Sequence, residues 1–174
     1  MIFFYLVSTK IEDEPGCTRN MHEGRILRSD DGYNWEQVIS ERATFRAVTW
    51  GNNMFVTVSW AGDILASSDG IKWKQVAGRY STNLKDVIWT GEKFVAVGET
   101  KYDDEPEYNR VFVSTDGENW TYYQAPDEFQ SIAWNGNVYV AVANGNNIYR
   151  SYDCVDWELV RKGYTDQIEF NKVE

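Results

Sequence analysis

One histidine, two cysteines and no run of basic residues narrow the chemistry open to this 174-residue chain. His22 alone supplies no multi-histidine metal centre, and its place in a long loop argues against a histidine-dependent triad. Cys17 and Cys154 are too few for a disulfide framework or a zinc site. Neither G-x-S-x-G nor G-x-x-x-x-G-K-[ST] occurs. Seventeen basic residues stand against 27 acidic ones, a formal net charge of -10. Such a surface repels phosphate backbones and anionic lipid, so the expected partners include no nucleic acid polymer and no membrane. No segment reaches membrane-spanning length, and Met1 to Val7 is too short for a signal-peptide core and lacks a basic leader. The expectation is a monomer in the cytoplasm, with no cofactor and no metal. Helical periodicity never persists over ten residues.

Aromatic residues, in contrast, make up 16% of the chain, and seven of the eight Trp fall at repeat-equivalent positions. One turn recurs four times: Ser29-Asp30-Asp31-Gly32-Tyr33-Asn34-Trp35, Ser67-Ser68-Asp69-Gly70-Ile71-Lys72-Trp73, Ser114-Thr115-Asp116-Gly117-Glu118-Asn119-Trp120 and Ser151-Tyr152-Asp153-Cys154-Val155-Asp156-Trp157. Every copy reads S-x-D-(G/C)-x-x-W, with successive Trp residues 38, 47 and 37 positions apart. A period near 40 residues signals an array of one supersecondary unit.

The second copy shows the unit: strand-like Phe45 to Trp50, Met54 to Ser59, Ile64 to Ser67 and Trp73 to Val76, separated by Gly, Asn and Asp turns. The third and fourth copies repeat it. The first lacks its opening strand and begins at Ile2 to Val7, equivalent to Lys93 to Gly98. Gln167 to Asn171 matches the missing strand, aligning with Ala47 to Gly51 and Ser131 to Asn135. The predicted fold is therefore all-β, a four-bladed β-propeller closed by pairing a C-terminal inner strand with the N-terminal blade. It uses residues 1–174 as one domain, with blades at about 1–40 plus 164–174, 41–79, 80–125 and 126–163. In each turn the Ser hydroxyl and the Asp carboxylate (Asp31, Asp69, Asp116, Asp153) are expected to bond backbone N–H groups. The Trp (Trp35, Trp73, Trp120, Trp157) is expected to pack between blades. One Asp per turn is not a calcium loop. Cys154 replaces the glycine, which predicts a slightly different turn there.

These turns resemble the Asp-box (BNR) repeats of sialidase-like propellers and of photosystem II assembly-factor-like propellers. Trp89, Gly91, Phe94 to Gly98, Ser114, Asp116-Gly117 and Trp120 carry the rhythm. The usual box, S-x-D-x-G-x-x-W, has one more residue between Asp and Gly. The resemblance implies a propeller whose box is a structural turn remote from any active site, so it says little about chemistry. Sialidase-like glycoside hydrolysis is the enzyme alternative. Phe45-Arg46 is similar to the F-R-I-P motif of that family, but Ala47 and Val48 replace Ile and Pro.

Candidate sites lie elsewhere. Repeats one and three carry long loops, Ser8 to Arg25 and Glu99 to Arg110, that resemble each other (Thr9-Lys10-Ile11-Glu12-Asp13-Glu14-Pro15 against Thr100-Lys101-Tyr102-Asp103-Asp104-Glu105-Pro106). The chain thus reads as a duplicated two-blade unit, with acidic arms flanking one end of the channel. Glu12, Asp13, Tyr102 and Asp103 on those arms, Trp60 in a short loop on the same face, and Arg46, Lys85, Gln130 and Asp166 near the starts of the inner strands are the candidate ligand contacts. An Arg46–Asp166 ion pair is the structural alternative for two of them. The function expected is a non-catalytic module binding a small polar ligand (a glycan or nucleotide-like signal) at the axial mouth. The alternatives are a protein–protein scaffold or part of a phage or cell-surface assembly.

Overall fold

The computed structural model describes residues 4–12, 21–41, 43–78, 82–100, 109–163 and 172–173. Among the described residues, fifteen strands follow one another as antiparallel meanders. Sheet one holds β1 (Phe4–Glu12), β2 (Met21–Ser29) and β3 (Glu36–Glu41). Sheet two holds β4 (Phe45–Gly51), β5 (Met54–Ser59), β6 (Ile64–Ser67) and β7 (Lys74–Ala77). Sheet three holds β8 (Thr82–Trp89), β9 (Phe94–Thr100), β10 (Arg110–Ser114) and β11 (Thr121–Gln124). Sheet four holds β12 (Phe129–Trp134), β13 (Tyr139–Ala143), β14 (Ile148–Ser151) and β15 (Glu158–Arg161), with a short 3-10 turn at Asn144–Asn146. Residues 167–171, expected as the closing strand, lie outside the described residues.

The sheets stack in chain order, because their strands are apolar on both faces. On β9, Phe94 and Ala96 pack with Val56, Val58 and Ile64 of sheet two. The alternate residues Val95 and Val97 pack with Phe129, Ile132 and Tyr139 of sheet four. Side chains alternate across a strand, so a middle blade needs hydrophobic residues at every position to serve two neighbours. Each fully buried large side chain contributes about 1.5–3 kcal/mol. The innermost strands β4, β8 and β12 lie side by side around a central cavity of about 900 Å³.

The structure corrects the sequence reading at three places. Phe4 pairs with Ser29 as Phe94 pairs with Ser114, so Phe4, not Phe3, is the counterpart of Phe94. A one-residue slip exchanges the two faces of a strand, and Tyr5 and Val7 accordingly face sheet two. Second, β1 and β2 run on into the expected first loop from both sides, still in register at Glu12 opposite Met21. His22 is thus a strand residue opposite Ile11. Third, Cys154 sits in the same turn as its three glycine counterparts.

That turn is self-contained. In the third copy the Asp116 carboxylate accepts the N–H groups of Glu118 and Asn119, both at 2.8 Å. Ser114 Oγ accepts the Gly117 N–H at 2.8 Å and donates to Asp116 at 3.0 Å. The Trp120 indole N–H donates to the Gly117 carbonyl at 3.1 Å. Gly117 has φ 78°, and Cys154 adopts φ 72° with the same bonds. The fully buried Cys154 side chain holds that left-handed conformation, and burial pushes its thiol up to about 11.

Candidate functional site at the central cavity

The inner strands do not enter the cavity rim as regular strands. Phe45 pairs with Ser59 but Ala47 with Val58, leaving Arg46 as an extra residue. Leu84 pairs with Gly98 and Asp86 with Val97, leaving out Lys85. Phe129 pairs with Ala143 and Ser131 with Val142, leaving out Gln130. A bulge at the same place in three sheets turns one side chain out of the ladder. The three residues so turned out are three of the four expected at the starts of the inner strands, and all three line the central cavity.

Their environments differ. Lys85 Nζ lies 2.8 Å from Glu99 Oε1, and Asn83 Nδ2 donates to the same oxygen at 2.7 Å. Gln130 Nε2 donates to Glu99 Oε2 at 3.0 Å and to Asn144 Oδ1 at 2.8 Å, and the Asn144 amide donates to Glu128. Burial tends to raise the Glu99 carboxyl, but the bonds from Lys85, Gln130 and Asn83 outweigh it and hold the group below its ordinary value. Sheets three and four therefore share a closed polar network at the mouth. Glu99 is its hub, a residue that sequence reading treated only as the start of a loop. On sheet two Arg46 is exposed, and no hydrogen bond or ion pair ties it to another described residue. Trp60, on the turn that follows β5, donates its backbone N–H to the Thr44 carbonyl at 2.8 Å and is 49% exposed. Its counterpart in sheet four is Asn144, whose N–H donates to Glu128 at 3.1 Å.

Deeper in, Asp86 joins two sheets. Its Oδ1 accepts the Val87 N–H at 2.9 Å. Its Oδ2 accepts the Ser131 hydroxyl at 2.6 Å and the Ile132 N–H at 3.1 Å. Ser131 Oγ in turn accepts the Val173 N–H at 3.2 Å, so the backbone of Val173 is held on the cavity wall. Trp89 and Trp134 line the end remote from Arg46. Of the remaining expected contacts, Glu12 ends β1, while Asp13, Tyr102, Asp103 and Asp166 lie outside the described residues. The structure thus brings Arg46, Lys85 and Gln130 together around one cavity, while Trp60 sits outside its lining, in the turn at the same end of sheet two.

No family model and no curated protein matches the sequence. Solved structures do match its shape. YCF48 bound to D1 peptide is 18% identical over 83% of this chain and 51% of that one, with a TM-score of 0.60. YCF48 from Cyanidioschyzon merolae is 15% identical over 82% of this chain and 53% of that one, with a TM-score of 0.56. A nidogen/laminin complex is 9% identical over 97% of this chain and 65% of that one, with a TM-score of 0.64. The chain spans about half the length of the YCF48 structures it matches. At these identities the likeness concerns fold alone, and together with the stacked four-stranded meanders it makes the chain a β-propeller.

Proposed function

We propose that this chain is a non-catalytic, four-bladed binding propeller that takes an extended polypeptide segment of a protein partner at the mouth of its central cavity. On this reading the ring closes at sheet one, the sheet that has three described strands where the others have four. The observation that carries the reading is the Ser131–Val173 contact. The cavity wall already receives main chain, through a hydroxyl held in place by Asp86. Arg46 and Trp60 add an open cation and a broad aromatic face on the sheet-two side of the mouth, where rigid scaffolds place adaptable contacts. A neighbour of the same fold, YCF48, has been captured with a peptide, which supports the choice of a polypeptide over a small molecule.

A phage-displayed peptide library selected against the intact chain tests this. Enriched peptides should bind with micromolar affinity and weaken at least tenfold, about 1.4 kcal/mol, on Arg46→Ala or Trp60→Ala. Failure to enrich any sequence, or binding indifferent to both changes, sinks the proposal. The small-ligand reading predicts instead a thermal shift with a glycan or nucleotide that Arg46→Ala abolishes.

A further inference from the structure

At the opposite ends of the strands, away from the mouth, two of the four box turns differ from the others in the same way. In sheet one Arg28 and Glu36 are cross-strand partners with Nη1–Oε1 at 3.4 Å. In sheet four Arg150 and Glu158 occupy the equivalent positions, with Nη2–Oε2 at 2.7 Å. The corresponding pairs in sheets two and three are Ala66–Lys74 and Val113–Thr121. Each Arg–Glu pair borders a cleft beside the box Trp. Arg28, Asp30, Asn34, Trp35 and Glu36 line one of about 240 Å³. Arg150, Tyr152, Asp156, Trp157 and Glu158 line the other, of about 250 Å³.

We propose that these twin clefts are two equivalent sites for a single neutral sugar ring. The indole orientation is fixed in both, because Trp35 and Trp157 donate their N–H groups to the carbonyls of Gly32 and Cys154 at 3.2 Å. What the cleft offers is therefore ring surface, the part of Trp that stacks on the apolar face of a pyranose. Around it stand a guanidinium that donates and carboxylates that accept, the complement of a ring of hydroxyls. Each cleft holds one cation against two carboxylates, Asp30 and Glu36 or Asp156 and Glu158, a balance that disfavours anionic sugars. The volumes fall below the roughly 300–1,000 Å³ of sites for larger ligands, matching one ring. Tyr152 in place of Asp30 gives the sheet-four cleft a second aromatic wall, with its ring 6.0 Å from the Arg150 guanidinium. Two such sites on one rigid body suit a branched or repeating glycan, whose second attachment is intramolecular.

Saturation-transfer NMR on the intact chain, with methyl glycosides of glucose, galactose, mannose and N-acetylglucosamine, reads this directly. Transfer to ring protons of at least one neutral glycoside is expected, and little to methyl glucuronide. Because Trp35→Ala and Trp157→Ala also remove folding contacts, the decisive variant is the exposed double change Glu36→Gln with Glu158→Gln. It should weaken binding tenfold or more, each single change should leave one site, and Lys74→Ala in the equivalent position of sheet two should change nothing. No transfer to any neutral glycoside overturns the proposal, as does transfer that survives the double change. Transfer lost only on Arg46→Ala would move the sugar to the central cavity and equally overturn it, without bearing on peptide binding at the mouth.

Discussion

At the outer turns, four segments make the same bonds to nearly the same lengths: the Ser hydroxyl accepts the N–H of Gly32, Gly70, Gly117 or Cys154 at 2.8–2.9 Å. At the inner rim, three equivalent bulges carry Arg46, Lys85 and Gln130, each in a different setting. The turn is built from local donors and acceptors, so any blade that keeps Ser, Asp and Trp reproduces it. The rim is built across sheets, so its residues are free to diverge as long as the bulge persists. Repetition marks what folds a blade, and divergence on a repeated backbone marks where blades acquire separate tasks.

The largest effect should come from the repeated region. An alanine Cβ at Gly70 would stand 1.7 Å from the Tyr5 hydroxyl, at φ 70°. The left-handed backbone costs about 1–2 kcal/mol for a residue with a Cβ, and overpacking adds about 1–3 kcal/mol. Gly70→Ala should therefore destabilise by about 3 kcal/mol in urea unfolding, and Tyr5→Phe should recover part of it. Gly117→Ala meets only side-chain atoms at 3.1–3.2 Å, so it should show little beyond the backbone cost. Equal losses at the two sites would mean that the turns are not equivalent frames set in different surroundings.

Next comes a residue of the cavity wall that acts structurally. Asp86→Ala removes the acceptor of the Ser131 hydroxyl and the Ile132 N–H, and leaving buried donors unpaired costs about 2 kcal/mol. If Asp86→Ala leaves the unfolding midpoint unchanged, the contrast between structural turn and variable rim is drawn too sharply.

Cys154 separates conformation from packing. Cys154→Gly and Cys154→Ala lose the same sulfur, yet only Ala keeps the left-handed penalty. The glycine variant should be the more stable by about 1 kcal/mol, measured by thermal unfolding of both.

Acid sensitivity should also follow the turns. Backbone N–H bonds from Asn34 and Asn119 hold Asp31 and Asp116 well below the ordinary carboxylate value, and the same kind of bond lowers Asp69 and Asp153. A carboxylate lowered on folding stabilises above its unfolded value, near pH 4, and that contribution is lost as pH falls through the folded one. Asp116→Asn should flatten the decline of stability below pH 4.

How far these features could be read from sequence depends on how local their cause is. The strands Phe45 to Ser67 and the box turns follow from alternation and turn chemistry within a few residues. The register of β1 is ambiguous by one residue in the sequence because Phe3 and Phe4 are adjacent and either fits the pattern; only the pairing of Phe4 with Ser29 decides. Arg46, Lys85 and Gln130 were visible as variable positions, but the bulge that turns them out depends on the neighbouring strand. Glu99 escaped notice because its partners Lys85 and Gln130 lie 14 and 31 residues away, Gln130 on another sheet. The Arg28–Glu36 and Arg150–Glu158 pairs are hidden in the sequence for a different reason. They belong to two of the four repeats and so stand outside the pattern common to all.

The smallest expected change in stability sits at the residue of greatest functional interest. Lys85 and Arg46 occupy equivalent bulges and carry the same charge, but Lys85 pairs with the half-buried Glu99 whereas Arg46 is exposed to solvent. Lys85→Ala leaves a carboxylate short of its cation and should cost on the order of 1–2 kcal/mol. Arg46→Ala removes an exposed side chain that stabilises nothing described, so its effect should stay within about 0.5 kcal/mol. Among the described residues Arg46 has no folding partner, which is what the proposed peptide contact at the mouth requires of it. If Arg46→Ala destabilises as much as Lys85→Ala, that use disappears, Arg46 joins the structural residues, and the peptide site must be sought without it.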